Sequence, residues 1–494
     1  MTPESIVTVD SGRLRGLVRD DHRLFQGIPY AAPPVGELRW RSPQPPQPWA
    51  DVRDATEPGS PCPQTAQVFA GISSLDEDCL SLNVTTPNTP GRKPVMVWLH
   101  GGGGANGEGA IFDARRLAVR EDVVVVTPNS RLGIFGYFGW PGLEGGGGFG
   151  LEDQQAALRW VRRNIAAFGG DPSNVTLFGE SYGGFNVCAH LVSPSAAGLF
   201  DRAIVQSGFA LMDAPANTWM PGQPPMPTMW TSAEELHGLA EHVVGQAGWI
   251  DPGSDLPALD QLRRVPVSEL LEYSAYFSRP SFGNGVLPEL PDDALRAGRF
   301  HRVPMIAGGT RDEARLFVAL FFDVNADSYR QLLAESFGAD ADRVALEYPP
   351  GENPALAWAD ITGDRAWALS TWDFAHALAP RVPTYFYEFA DRSAPPIVPF
   401  PEGFPPGAHH SAEVAYQFDL REPADLDAEQ WRLAEAMNAY WATFARTGDP
   451  NRPDLPSWPR FDPADPHTQR LAPGRIGGTD FPAGHRLAFW EKLR

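Results

Sequence analysis

The chain has 494 residues, of which 43% are hydrophobic, and its 61 acidic and 40 basic residues give a formal net charge of -21. A chain of this length and composition buries a large core, and its negative charge would repel nucleic acids and anionic membrane surfaces, so neither is expected as a partner. No apolar run approaches the roughly 20 residues that cross a bilayer. The first ten residues lack the basic cluster and apolar run of a signal peptide, which predicts a cytoplasmic location or an already trimmed chain.

Short apolar runs, taken in chain order, predict buried parallel strands. They lie at residues 95–99, 123–127, 175–178, 203–206, 303–307 and 384–389. Apolar residues at helical spacing predict a helix over residues 151–165, which the glycine and proline turn at 169–172 ends. Strands that alternate with helices predict an α/β fold with a mostly parallel central sheet and helices on both faces.

The segment 214–230 is rich in proline, methionine and tryptophan and fits neither helical nor strand periodicity. It is interpreted either as a loop near the substrate entrance or as a surface connection between two helices. No internal repeat and no linker divides the chain, so one domain over residues 1–494 is expected.

The three cysteines, Cys62, Cys79 and Cys188, exclude a disulfide scaffold and have no spacing suited to zinc. Cys62 and Cys79 can close one short loop, whereas Cys188 lies in an apolar helical run and is expected in the core. No metal and no cofactor is predicted.

A glycine-flanked serine, Gly179-Glu180-Ser181-Tyr182-Gly183, follows a predicted strand and precedes a helical pattern. A serine on such a turn adopts a strained backbone conformation with its hydroxyl exposed, and the helix that follows directs its N-terminal amides at the reacting centre. The pattern favours a nucleophile at Ser181. The alternative is an ordinary glycine turn.

A run of glycines, residues 101–104, follows His100 at the end of the strand 95–99. Without side chains, its amides can face an oxyanion, and Gly102 and Gly103 together with the amide of Tyr182 are the predicted donors. A flexible turn is the alternative, as at residues 145–148. A phosphate-binding loop is disfavoured because no Gly-Lys-Ser/Thr follows.

A serine hydroxyl needs a base that titrates near neutral pH, and the chain has eleven histidines. In α/β-hydrolases the order along the chain is serine, acid, histidine, which excludes His22 and His100. Spacing alone does not choose among the other histidines.

Three long motifs occur in order along the chain: residues 26–31 (QGIPYA) with Pro33, Pro34, Leu38 and Arg39, residues 77–84 (EDCLSLNV), and the stretch from 168–172 (FGGDP) to Ser181. With these motifs the chain resembles the type-B carboxylesterases, the family that includes the cholinesterases, over almost all of its length. The resemblance implies an α/β-hydrolase fold with large loop and helical insertions around an active-site gorge.

The same resemblance implies the rest of the triad. The family's acid lies in an Asp-Glu pair after a late strand, and Asp312 and Glu313 match that pair, with Glu313 as the acid. The family's histidine stands three residues before a glutamate, and His410 before Glu413 matches that spacing. His409 falls where the family carries a non-catalytic residue.

By resemblance, Glu180 lines the site beside the nucleophile and Ser207 lies behind the acid; simple local hydrogen bonding is the alternative for both.

The chain departs from the family at three positions. Tyr182 replaces a small residue, and Gly104 and Ser81 each replace an aromatic residue. Gly104, a predicted substrate-binding residue, can make room for the Tyr182 ring, and the pair is expected to reshape the pocket. Cys62 and Cys79 match the family's loop disulfide.

The resemblance and the motifs predict a serine carboxylesterase that hydrolyses small-molecule carboxylic esters through an acyl-enzyme, as a monomer or a small homo-oligomer. Activity is expected to fall below about pH 6 to 7, where an ordinary histidine becomes protonated. The alternatives are an amidase or acyl hydrolase of a specialised natural product, and a non-catalytic binding member of the family.

Overall fold

A large mixed β-sheet runs through the protein. The computed structural model describes residues 4–67, 72–421 and 424–493. Within these residues the strands are β1 (Glu4–Val9), β2 (Gly12–Val18), β3 (His22–Pro29), β4 (Val52–Asp54), β5 (Ser81–Pro87), β6 (Lys93–Leu99), β7 (Val124–Pro128), β8 (Gly170–Glu180), β9 (Arg202–Gln206), β10 (Thr231–Ser232), β11 (Ser281–Phe282), β12 (Met305–Thr310), β13 (Thr384–Phe389), β14 (Thr468–Ala472) and β15 (Arg475–Thr479).

Helices lie between the strands of the parallel part and extend well beyond it. In the described ranges they are α1 (Arg115–Glu121), α2 (Gly133–Tyr137), α3 (Phe149–Asn164), α4 (Tyr182–Val192), α5 (Ala233–Ala247), α6 (Ala258–Leu262), α7 (Val267–Leu271), α8 (Pro291–Ala297), α9 (Arg315–Phe321), α10 (Ala326–Phe337), α11 (Ala341–Glu347), α12 (Pro354–Thr362), α13 (Leu369–Leu378), α14 (Val414–Gln417), α15 (Ala428–Thr447), α16 (Phe481–Gly484) and α17 (Leu487–Trp490). No helix in the described part of the chain is long and apolar enough to cross a membrane.

The strands of the main sheet follow the order β1-β2-β3-β5-β7-β6-β8-β9-β12-β13-β14-β15, with β4 beside β2. The block from β7 to β14 is parallel, whereas β1, β2, β3 and β5 pair antiparallel at one edge and β15 pairs antiparallel at the other. The parallel block confirms the predicted α/β-hydrolase fold, and the antiparallel edges make the sheet mixed.

Each of the six predicted strands lies in the parallel block. The bounds of β13 match the prediction, and those of the other five differ by one to five residues. The largest difference is in β8, which begins at Gly170 rather than Val175 because Gly170 already pairs with Lys93 before an irregular step in the register. Gly169, with φ 88°, ends the turn that follows α3. The antiparallel edge strands and β14, the last strand of the parallel block, were not among the predictions.

The core lies on both faces of the sheet. Along β6, Val95 and Val97 belong to the apolar cluster on one face and Met96 and Trp98 to the cluster on the other. This alternation is the two-residue period of a strand that is covered on both sides. The central strands are therefore rigid supports for the loops at their carboxyl ends.

All three cysteines are buried with free thiols. A hydrogen bond with Cys62 and burial raise the pKa of the Cys79 thiol, so these two cysteines lie together without a disulfide bond. Cys188 is fully buried in α4, as predicted.

Candidate active site

Ser181 stands on a sharp turn between β8 and α4. Its backbone angles, φ 57° and ψ -123°, are strained for a residue with a side chain. A Cβ at Gly183 would lie 1.9 Å from the carbonyl oxygen of Leu99, so only glycine lets the turn approach β6 so closely. The serine hydroxyl is thereby presented at the carboxyl edge of the sheet.

His410 connects Ser181 to a carboxylate. Its Nε2 lies 2.8 Å from the Ser181 hydroxyl oxygen, and its Nδ1 lies 2.5 Å from Oε2 of Glu313. Glu313 follows β12, and His410 lies in the long loop after β13, so neighbouring parallel strands bring residues far apart in the chain to one edge. The structure thus brings the three predicted triad residues into one hydrogen-bonded relay.

The other oxygen of Glu313 is fixed by two donors. The Ser207 hydroxyl donates to Oε1 at 2.7 Å, and the backbone amide of Thr310 donates to the same oxygen at 2.8 Å. Because these bonds hold the carboxylate plane, Oε2 stays directed at His410. Ser207 therefore lies behind the acid, where the resemblance placed it.

A second carboxylate faces the outer nitrogen of the histidine. Oε1 of Glu180 lies 3.4 Å from Nε2 of His410 and accepts a hydrogen bond of 2.6 Å from the Ser411 hydroxyl. Burial would lower the pKa of His410, but the charges of Glu180 and Glu313 outweigh burial and raise it to about 9. Because these carboxylates keep the imidazole protonated to higher pH, we expect the fall of activity to begin above about pH 6 to 7.

A third carboxyl group, Glu413, lies behind this pair. Both of its oxygens are buried without a hydrogen-bond partner among the described residues. Burial, and then the charges of Glu180 and Glu313, raise its pKa well above the ordinary value. Burial and the neighbouring charges therefore favour the protonated form of Glu413.

Three backbone amides near Ser181 donate no hydrogen bond to any acceptor in the described parts of the chain: those of Gly102, Gly103 and Tyr182. The glycine turn lies against the serine, since a Cβ at Gly101 would be 3.2 Å from the Cβ of Ser181. Amides without an acceptor in the protein, close to a reactive hydroxyl, are the donors that an oxyanion requires.

Gly104 and Tyr182 are in contact. A Cβ at Gly104 would lie 2.6 Å from the Tyr182 ring and 2.2 Å from the carbonyl oxygen of Ser278. Gly104 thus makes room for the Tyr182 ring, as predicted from the sequence. The space beside Gly104 is filled by protein, so a direct contact between this residue and a substrate stays a prediction.

Aromatic rings surround the histidine. The ring centroids of Trp367 and Phe317 lie 4.8 Å and 5.1 Å from that of His410. Trp219 packs on both of them, at 5.2 Å from Trp367 and 5.1 Å from Phe317. Trp219 belongs to the segment 214–230, so this loop lies beside the site, as one of its two interpretations proposed.

Two further residues shape the loop that carries His410, and sequence reasoning assigned neither role. The amide of Asp312 donates to the Ala408 carbonyl and the Ala408 amide donates to Oδ2 of Asp312, each at 2.9 Å. Arg392 donates to both oxygens of Asp312, at 3.0 and 2.6 Å. Only the adjacency of Asp312 to Glu313 could have pointed to this connection between the acid and histidine loops.

His409 is directed away from Ser181. Its Nδ1 lies 3.2 Å from the Gly407 carbonyl oxygen, and its Nε2 accepts from the Ile397 amide at 3.4 Å. Burial lowers its pKa to about 4, so it is neutral near pH 7.

Comparison with known proteins gives the same class as the fold and the site. Residues 3–490 match the Carboxylesterase family. The chain is 34% identical to para-nitrobenzyl esterase of Bacillus subtilis (strain 168), with 92% of each chain covered, and 33% identical to acylcarnitine hydrolase of Mus musculus and to cocaine esterase of Homo sapiens, in each case with 95% of this chain and 86% of the relative covered. The solved structure of a PNB esterase superimposes with a TM-score of 0.81 at 31% identity and covers 99% of this chain and 100% of that one.

The parallel sheet, the strained serine turn and the relay at its edge define an α/β-hydrolase of the serine esterase class. More particularly, the chain belongs to the carboxylesterase family and is a carboxylic ester hydrolase.

Proposed function

We propose that Ser181 is the nucleophile, His410 the general base and Glu313 the residue that orients the histidine. The observation that carries this assignment is the position of His410 between the Ser181 hydroxyl at 2.8 Å and the Glu313 carboxylate at 2.5 Å. Glu313 accepts a hydrogen bond from Nδ1–H of His410. This bond leaves Nε2 free to accept the serine proton and stabilises the imidazolium that forms.

The reaction proceeds in two halves. As Ser181 Oγ bonds to the ester carbonyl carbon, its proton passes to Nε2 of His410; the tetrahedral intermediate then collapses, and the alcohol leaves with that proton. Water repeats the sequence on the acyl-enzyme, and the carboxylic acid is released as Ser181 regains its proton. The amides of Gly102, Gly103 and Tyr182 donate to the carbonyl oxygen when it becomes negative.

The substrates we propose are small carboxylic esters with an acyl group of modest size. The relatives' names include a para-nitrobenzyl esterase and a cocaine esterase, and Phe317, Trp367 and Trp219 supply an apolar surface beside His410. Contacts of Glu180 and Gly104 with the substrate belong to this proposal.

One catalytic domain over residues 1–494, a monomer or small homo-oligomer and a cytoplasmic location remain predictions. The first three residues and the last one of this domain lie outside the described residues. Light scattering on the purified protein measures the oligomeric state, and fractionation of the producing cells measures the location.

Substitution of the nucleophile tests the assignment. We expect Ser181→Ala to lower turnover by on the order of 10⁴ or more, and a fluorophosphonate to label the peptide that contains residue 181 in the wild type only. Turnover by Ser181→Ala at the wild-type rate, or a label on another residue, would overturn it.

A matched substrate panel tests the reaction type. Chromogenic esters and the corresponding amides are compared with the same enzyme preparation. Faster turnover of esters supports the proposal, faster turnover of amides supports an amidase, and no turnover of either supports a binding protein.

A further inference from the structure

The turn that carries two of the proposed oxyanion donors has no side chains of its own. Gly102, Gly103 and Gly104 all have positive φ, at 103°, 62° and 76°. The amides of Ala105 and Asn106 both donate to the Gly102 carbonyl, at 3.2 and 3.1 Å. A glycine run of this kind has many accessible conformations, so its distance from Ser181 must be fixed by other parts of the protein.

The side chain of Tyr182 contacts this turn. Its side chain is only 3% exposed, and its ring packs on the α-carbon of Gly104, where an added Cβ would lie 2.6 Å from Cζ and 2.7 Å from Cε2. No side chain could grow from Gly104 in the same space, because the Ser278 carbonyl oxygen would lie 2.2 Å from its Cβ. The Tyr182 ring therefore fills space that a side chain at position 104 cannot occupy.

The same ring also contacts α2. The centroids of Tyr182 and Tyr137 lie 6.0 Å apart with the rings at 78°, an edge-to-face arrangement. Gly133, at the start of α2, donates its amide hydrogen to the Gly104 carbonyl at 2.7 Å. Gly104 is thus held between a hydrogen bond from α2 and the Tyr182 ring of α4, and that ring packs on Tyr137 of α2.

We propose that the side chain of Tyr182 is a positioning residue, which holds the glycine turn against the nucleophile helix so that the amides of Gly102, Gly103 and Tyr182 converge on one point. The proposal rests on the function proposed above for these amides. One residue then contributes a donor through its backbone and sets the position of the other two donors through its ring.

The test compares Tyr182→Ala and Tyr182→Phe with the wild type. Since loss of a single oxyanion donor costs about 10² to 10³ in kcat, we expect the misplaced turn in Tyr182→Ala to lower kcat by roughly 10- to 100-fold, with KM for a para-nitrophenyl ester within about threefold. Affinity for a trifluoromethyl ketone, which forms a tetrahedral adduct with the serine, falls by the same factor. Tyr182→Phe keeps the ring and stays within about threefold of wild type in all three measurements.

Tyr329→Ala is the matched control, because it removes a tyrosine that is 2% exposed from α10. We expect it to lower the unfolding temperature without changing kcat or ketone affinity. Wild-type kcat in Tyr182→Ala, a fall in kcat without loss of ketone affinity, or equal losses in Tyr182→Phe and Tyr182→Ala would each overturn the proposal.

If Tyr182→Ala does not fold, Tyr182→Leu decides, with a smaller loss of kcat and ketone affinity expected and wild-type values contradicting the proposal. Ser181→Ala distinguishes a failure of the proposed function from a failure of the role of the Tyr182 ring. Full activity in Ser181→Ala overturns the proposed function, whereas an inactive Ser181→Ala beside a fully active Tyr182→Ala overturns only the role of the ring.

Discussion

Replacing Glu180 by glutamine tests how the site sets the pKa of its histidine. The substitution keeps the shape of the side chain and removes a buried negative charge 3.4 Å from Nε2 of His410. Burial opposes the charged imidazole, and Glu180 is the first of the carboxylates that outweigh burial and raise the pKa of His410 to about 9. Without its charge, the pKa of His410 must fall.

The size of the change follows from the distance. Two unit charges 3.4 Å apart attract by at most roughly 5 kcal/mol at an effective dielectric constant of about 20, and about 1.4 kcal/mol corresponds to a tenfold change in a protonation equilibrium. Burial raises the pKa of Glu180 itself, which favours its protonated form, so this attraction between the two charges is an upper bound. We therefore expect Glu180→Gln to lower the pKa of His410 by roughly 1 to 2.

The direction of this change in the pKa of His410 can be read from the pH profile. Because the general base must be neutral, kcat/KM of the wild type rises with pH through the raised pKa of His410, above the ordinary histidine value of 6.5. In Glu180→Gln the same rise occurs at lower pH, so the variant is relatively more active in acid than the wild type.

A pH-stat assay of ester hydrolysis between about pH 5 and 10 measures both profiles, with the uncatalysed rate subtracted. Glu152→Gln, which alters a partly buried carboxylate of α3 whose charged neighbours are Asp153, Arg131 and Arg159, is expected to leave the profile unchanged. An acid limb that stays in place, or moves to higher pH, in Glu180→Gln would refute the reasoning.

Three other predictions concern the supports of the site. Ser207→Ala removes a donor to Glu313 that lies 2.7 Å away; since a hydrogen bond to a charged group contributes about 1.5 to 3 kcal/mol, kcat should fall by roughly tenfold or more with KM nearly constant, and an unchanged kcat would contradict it. Asp312→Asn weakens the connection to Ala408, so calorimetry should show a lower unfolding temperature and kinetics a lower kcat. An unchanged unfolding temperature together with an unchanged kcat would contradict this prediction. Gly183→Ala places a Cβ 1.9 Å from a backbone oxygen, so expression trials should yield little folded protein, and a stable, fully active variant would show that the turn can relax.

Six strands of the parallel block were predictable from the sequence because each is largely buried on both faces. Such strands are continuous apolar runs, as in Val95–Leu99 within β6, and burial alone defines them. The seventh, β14, was not predicted, since Gln469 and Arg470 interrupt its apolar pattern. The antiparallel edge was not predicted, since strands such as β1 alternate buried Val7 and Val9 with exposed residues over only six positions. A signal of that length is easily missed beside loops.

The part of the candidate site whose residues are close in sequence could be predicted. The part whose residues come together only in the folded chain could not. The serine turn and the glycine run are local, so their positions follow from flanking strands. The choice of Glu313 and His410 needed the family resemblance, because nothing in their spacing reports that β12 and β13 are neighbours. The packing of Phe317 and Trp367 on His410 likewise arises only from the folded arrangement of the helices around the site.

The most direct measurement of the central claim is a crystal structure of the enzyme inactivated by a phosphonate ester. We expect a covalent bond from Ser181 Oγ to phosphorus, with the phosphoryl oxygen about 3 Å from the amides of Gly102, Gly103 and Tyr182, and His410 still hydrogen-bonded to Glu313. Phosphorus on a different side chain, or a phosphoryl oxygen that faces away from these amides, would contradict it.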